Sequence, residues 1–64
     1  MSINTIYTQI SKATVISKAG KTTEEIQNEI NTDVDRQKVD DYNLQSITSD
    51  ETFIYLTYQK ITYN

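Results

Sequence analysis

The sequence predicts a small α+β domain with the order strand, helix, strand, strand, and three observations carry that prediction. One stretch, Gly20 to Val39, has helical spacing and a capping signature, with Ile26, Ile30 and Val34 recurring every four residues. The segments on either side are rich in β-branched and aromatic residues at period two. Sixty-four residues are enough for one domain and no more, so residues 1–64 are read as a single unit.

The first element runs from Ile3 to Ile16. Ile6, Thr8 and Ile10 fall on one face of a period-two strand, and Ile3, Thr5 and Tyr7 on the other. Thr14, Val15 and Ile16 suit a pleated surface. A hairpin at Ser11-Lys12 would need the Asn-Gly or Asp-Gly chemistry of a tight turn, which that pair lacks. One long strand is therefore expected, bent or bulged near Ser11 to Ala13.

Ser17 to Lys21 is a connector holding the only glycine, Gly20. Thr22 followed by Glu25 forms a T-x-x-E capping box, and Glu24 and Glu25 put negative charge where the helix dipole favours it. Ile26, Ile30 and Val34 make a narrow apolar stripe, opposed by Gln27, Asn28, Asn31, Thr32 and Asp35. Arg36 and Lys38 occupy the last turn, and Val39 is expected to pack inward as the helix ends. Asp40-Asp41 marks a turn.

Tyr42 to Thr48 is a second strand. Leu44 and Ile47 are three apart, which predicts a bulge or irregular stretch between them. Ser49-Asp50-Glu51 is a polar hairpin loop, and Thr52 to Tyr63 the last strand. Ile54, Leu56 and Tyr58 share one of its faces; Phe53, Tyr55, Thr57 and Ile61 share the other. A single helix covers one face of the resulting three-stranded, mostly antiparallel sheet. The other is left with Tyr7, Tyr55 and Phe53, and a second copy docking through the sheet would dry it.

Size and composition narrow the function. A domain this small buries only about 60% of its unfolded surface, and the usual supports are disulfides, a metal or a partner subunit. The chain has no cysteine and no histidine, so neither a disulfide nor an ordinary zinc site is available, and a homo-oligomer is expected. The same lack removes the familiar base–nucleophile pairs, so no enzyme, no metal and no cofactor are expected. The net charge of -3 opposes non-specific nucleic-acid binding. No signal-peptide pattern and no apolar run of membrane-spanning length is visible, which with the absence of cysteine fits a cytoplasmic protein. Abundant isoleucine, asparagine, threonine and tyrosine, with Arg36 the sole arginine and no proline, is the usage of A/T-rich coding sequence, as in low-GC bacteria and their phages.

Two sets of residues are candidates for binding. Gly20-Lys21-Thr22, placed between a strand and a helix, has the position of a phosphate-binding loop. The full pattern needs a glycine where Val15 stands, so NTP hydrolysis is not expected and a connector glycine before a capped helix is the leading reading. Between these lies a phosphate or nucleotide ligand held by Lys18, Gly20, Lys21, Thr22 and Thr23. The second set is Tyr7, Phe53, Tyr55 and Tyr63, since tyrosine concentrates at recognition surfaces. Sheet packing or a dimer interface is the leading reading of the five tyrosines, ahead of a heterologous partner and of base stacking. Among Asp33, Asp35, Asp40 and Asp41, the first two have the alternation of a calcium loop, but position 37 is Gln and the loop's glycine is missing, so the four read as a solvated helix end.

Glu24-Glu25-Ile26, Glu29-Ile30-Asn31 and Ile54-Tyr55-Leu56 resemble the corresponding parts of a family of roughly sixty-residue sporulation-associated proteins of Firmicutes and their phages. There a strand is followed by an acidic-starting helix and a C-terminal hairpin. The resemblance implies the same fold and a structural or sporulation-type role, with no catalytic residues to carry over. The leading expectation is a non-enzymatic homo-oligomer that binds and inhibits a host protein, as phage anti-defence modules do. The runner-up is a sequestering protein for a phosphorylated nucleotide signal at the subunit interface.

Overall fold

The computed structural model describes residues 7–63, and the side chains of residues 8–62. Ile3 to Ile6, the start of the expected first strand, and the side chains of Tyr7 and Tyr63 lie outside the described part. Four elements follow in the order β1 (Tyr7–Ser17), α1 (Thr23–Val39), β2 (Asn43–Ser49) and β3 (Phe53–Tyr63). The sheet has the strand order β1-β3-β2, with both pairings antiparallel. Among the described residues, no helix is long and apolar enough to cross a membrane.

β1 pairs with β3 in one unbroken register, from Tyr7 opposite Tyr63 to Ser17 opposite Phe53. No bulge interrupts it near Ser11 to Ala13, where one was expected. Lys12 falls on the helix side, opposite Tyr58, and its amine donates to Gln37 Oε1 at 2.9 Å, so the alternation continues through this polar stretch. The expected irregularity in β2 is present: Leu44 faces Tyr58 and Ser46 faces Thr57, leaving Gln45 as the extra residue. That bulge restores Ile47 to the face of Leu56 despite the spacing of three. The loop after β2 is Asp50 to Thr52, closed by the Asp50 carboxylate accepting from the backbone N–H groups of Thr52 (2.8 Å) and Phe53 (2.6 Å).

The helix begins where the capping box places it. Thr22 Oγ1 accepts from the Glu25 N–H at 3.2 Å, and the Glu25 carboxylate accepts from the Thr22 N–H at 3.1 Å. The second contact holds the Glu25 carboxyl below its ordinary range, through the backbone hydrogen bond first and the hydroxyl second. Gly20 has φ +69°, the left-handed conformation that a residue with a side chain adopts only with strain.

The core is Ile16, Ile54, Leu56 and Tyr58, with Ile26, Ile30, Val34, Tyr42 and Leu44 packed around it. Leu56 and Tyr58, on the central strand beneath the helix, are essentially inaccessible. Val39 does not pack inward; it is 82% exposed. At 3.6 residues per turn it points about 140° away from Val34, whereas Gln37 lies within ~20° of Ile30. Gln37 is accordingly the buried residue of the last turns.

Candidate functional site

The candidate binding residues divide between two faces of the sheet, set by the parity of β3. Even-numbered β3 residues face the helix, and odd-numbered ones face away. On the helix side, Asp33 joins helix to sheet: it accepts from Thr14 Oγ1 and from the Tyr58 hydroxyl, both at 2.6 Å. Burial opposes ionisation of this carboxyl. The hydrogen bonds from Thr14, Tyr58 and Gln37, with the Arg36 charge, outweigh burial and hold it below the ordinary carboxylate range. Burial first, and then the bond to Asp33, push the Tyr58 phenol up to about 12. Asp33 is thus not part of a solvated helix end; it sits three residues after Ile30 and so on the sheet-facing side. Among the described residues no buried side-chain polar atom lacks a partner.

On the open side, Phe53 and Tyr55 lie next to each other with ring centroids 6.4 Å apart and planes tilted by 56°. The register places Val15 opposite Tyr55 and Ser17 opposite Phe53. Val15 is 56% exposed, Ile61 44% and Phe53 39%. The Tyr55 hydroxyl donates to Asp50 Oδ2 at 2.8 Å, which fixes the ring and raises the phenol above its ordinary value. The same bond helps hold the Asp50 carboxyl down, after the larger contributions of the Phe53 and Thr52 N–H groups. Between the strands, Ser46 and Thr57 are joined hydroxyl to hydroxyl. The result is an ordered, mixed apolar and aromatic strip with no described residue covering it.

Of the tyrosine set, Phe53 and Tyr55 are brought together on this face. Tyr7 and Tyr63 are paired through their backbones at the far end of the β1–β3 ribbon. The remaining tyrosines are structural: Tyr58 is in the core, and Tyr42 closes its edge beneath the amines of Lys12 and Lys60, at 5.2 and 5.4 Å from the ring centre. Val15 was missed as a site residue. Its signal was legible, since it sits one residue before the buried Ile16 in a period-two strand.

The phosphate-type set does not converge. The Lys18 amine reaches the Asp50 carbonyl at 2.5 Å, across the sheet end, while the Lys21 amine is held by both Glu29 oxygens at 2.9 and 2.7 Å. Thr22 is occupied as the helix cap, Thr23 opens the helix, and Gly20 supplies the left-handed turn. Each residue of that set has an internal task, and the two cations point to different partners.

Comparison with protein-family models, with curated proteins and with solved structures gave no match. The functional reading therefore rests on these residues alone.

Proposed function

We propose that this chain is a non-enzymatic interaction module that works as a homo-oligomer and captures a protein partner on the open face of its sheet. The observation that carries the reading is the exposed cluster of Val15, Phe53 and Tyr55, with Ile61 further along the same face, opposite a face that already holds the whole core. Exposed apolar side chains beside ordered aromatic rings are what a recognition surface needs: contact area at low entropic cost and a hydroxyl that tolerates water. In the fuller form of this proposal the partner is a protein of a low-GC host, and binding inhibits it. Sequestration of a nucleotide signal draws no comparable support, because Lys18 and Lys21 are turned to separate internal acceptors.

The test is native mass spectrometry of the tagged chain recovered from low-GC host cells, alongside Phe53→Ser/Tyr55→Ser and Lys21→Ala. The expected result is a discrete protein at fixed stoichiometry, lost in the double variant and kept in Lys21→Ala. Capture that survives the loss of both rings, or a nucleotide-sized adduct lost in Lys21→Ala, overturns the reading.

A further inference from the structure

The outer edge of β1 is a second unsatisfied surface, distinct from the open face. The Lys18 N–H donates to the Thr52 carbonyl at 2.9 Å, so residue 18 bonds towards the neighbouring strand. Alternation along an antiparallel ladder then turns the even residues of β1 towards β3 and the N–H and C=O groups of Gln9, Ser11, Ala13, Val15 and Ser17 outwards. No described residue pairs with them. Sheet edges are ordinarily guarded by proline, a bulge or an outward lysine. β2, at the opposite edge, has its bulge at Gln45. β1 has neither bulge nor proline across eleven residues, and its one lysine, Lys12, is drawn inward to Gln37 and the Tyr42 ring.

Beside this edge runs a groove of about 470 Å³, walled on the helix side by Lys21, Glu29, Thr32, Asp33 and Arg36. The helix runs antiparallel to β1. Thr14 is bonded to Asp33 and Lys12 to Gln37, which sets Thr14 level with Asp33. From that level Arg36 lies about 4.5 Å towards one end of the helix and Glu29 about 6 Å towards the other, at 1.5 Å per residue. A two-fold axis beside Thr14 exchanges the two directions. It therefore brings Arg36 of one copy to within ~1.5 Å, along the helix, of the level of Glu29 in the other, where it would share the carboxylate with Lys21 of that copy. The same axis sets Ala13 opposite Val15 and Ser11 opposite Ser17, all outward-bonding residues, so the ladder and the charges are self-complementary about one point.

The spacing also fits. The helix packs over the central strand, one and a half strand separations (~7 Å) from that axis, so the two helices stand about 14 Å apart. Helices in direct contact pack at about 8–10 Å, and the difference is the reach of facing arginine and glutamate side chains.

We infer that a second copy of this chain adds to the outer edge of β1, antiparallel and two-fold symmetric about Thr14. The product is a six-stranded sheet, β2-β3-β1-β1-β3-β2, with both helices on one side and both Phe53–Tyr55 strips exposed on the other. This deepens the oligomeric part of the proposed function and does not depend on partner capture.

Sedimentation equilibrium of the full chain is the test, with circular dichroism to confirm folding. The wild type is expected as a dimer. Ala13→Pro removes an outward N–H and leaves the β1–β3 ladder whole, so it is expected to fold and to sediment as a monomer. As a check independent of proline, Arg36→Glu and Glu29→Arg are each expected to weaken the dimer, and the double exchange to recover at least tenfold over Arg36→Glu. A wild-type monomer at the highest soluble concentration overturns the inference. So does a dimer indifferent to the charge variants, or one lost in Phe53→Ser/Tyr55→Ser but kept in folded Ala13→Pro. Partner capture that survives Phe53→Ser/Tyr55→Ser with the dimer intact would instead count against the open-face reading.

Discussion

Asp33 ties the helix to the sheet at two points, and a half-buried carboxylate with two hydroxyl donors is costly to disturb from either side. Asp33→Ala strands the inaccessible Tyr58 hydroxyl, and the expected loss is about 1–3 kcal/mol by urea unfolding, the range for leaving a buried polar group without its partner. Its lowered carboxyl also contributes to acid stability. That contribution is complete above the ordinary value of 3.8 and is lost as pH falls through the lower folded value, so acid unfolding should be shallower in Asp33→Ala. The Tyr58 phenol works in the opposite direction. Its folded value is raised from 10.0 to about 12, so the folded chain retains a proton that the unfolded chain releases. The stability it contributes is complete below pH 10 and fades as pH approaches 12. Tyr58→Phe should remove that alkaline dependence, read as the difference in urea midpoint between pH 9 and the alkaline limb.

Among the elements, the helix depends most on local chemistry. Ile26, Ile30 and Val34 form a narrow stripe, so the capping box matters to its first turn. Thr22→Ala is expected to cost about 1 kcal/mol, measured by the shift in urea midpoint with an unchanged slope. Where the helix was misread, the cause was a strict period of four. Extended to the last turns it selects Lys38 and the neighbouring Val39, while the true period of 3.6 selects Asp33 and Gln37, two polar residues that binary patterning passes over. The first strand was misread for a related reason: Ser11-Lys12-Ala13 has no large apolar residue to mark its phase, and only the ladder with β3 shows that the alternation continues. Leu44 and Ile47, by contrast, revealed the bulge because two apolar residues out of phase can share a face only across an extra one.

For the whole molecule, one face holds the core and the other is open. Leu56→Ala, at the centre of the packed face, should cost about 2–5 kcal/mol and come close to unfolding so small a domain. Phe53→Ser, on the open face, should cost no more than about 1 kcal/mol while reducing binding of a hydrophobic dye. Thermal melts of the two variants side by side distinguish a surface kept for packing from one kept for recognition.

The sequence by itself determined the element order, the cap at Thr22, the turn at Gly20, the bulge in β2 and the division of β3 into two faces. All of these follow from interactions within a few residues of chain or from a period that any strand or helix must obey. The tertiary structure alone decided that Thr14, Asp33 and Tyr58 meet, that Lys18 and Lys21 part, and that β1 presents an unguarded edge. Those outcomes depend on which strand lies beside which and at what register, and residues 14, 33 and 58 are neighbours only once β3 has inserted between β1 and β2.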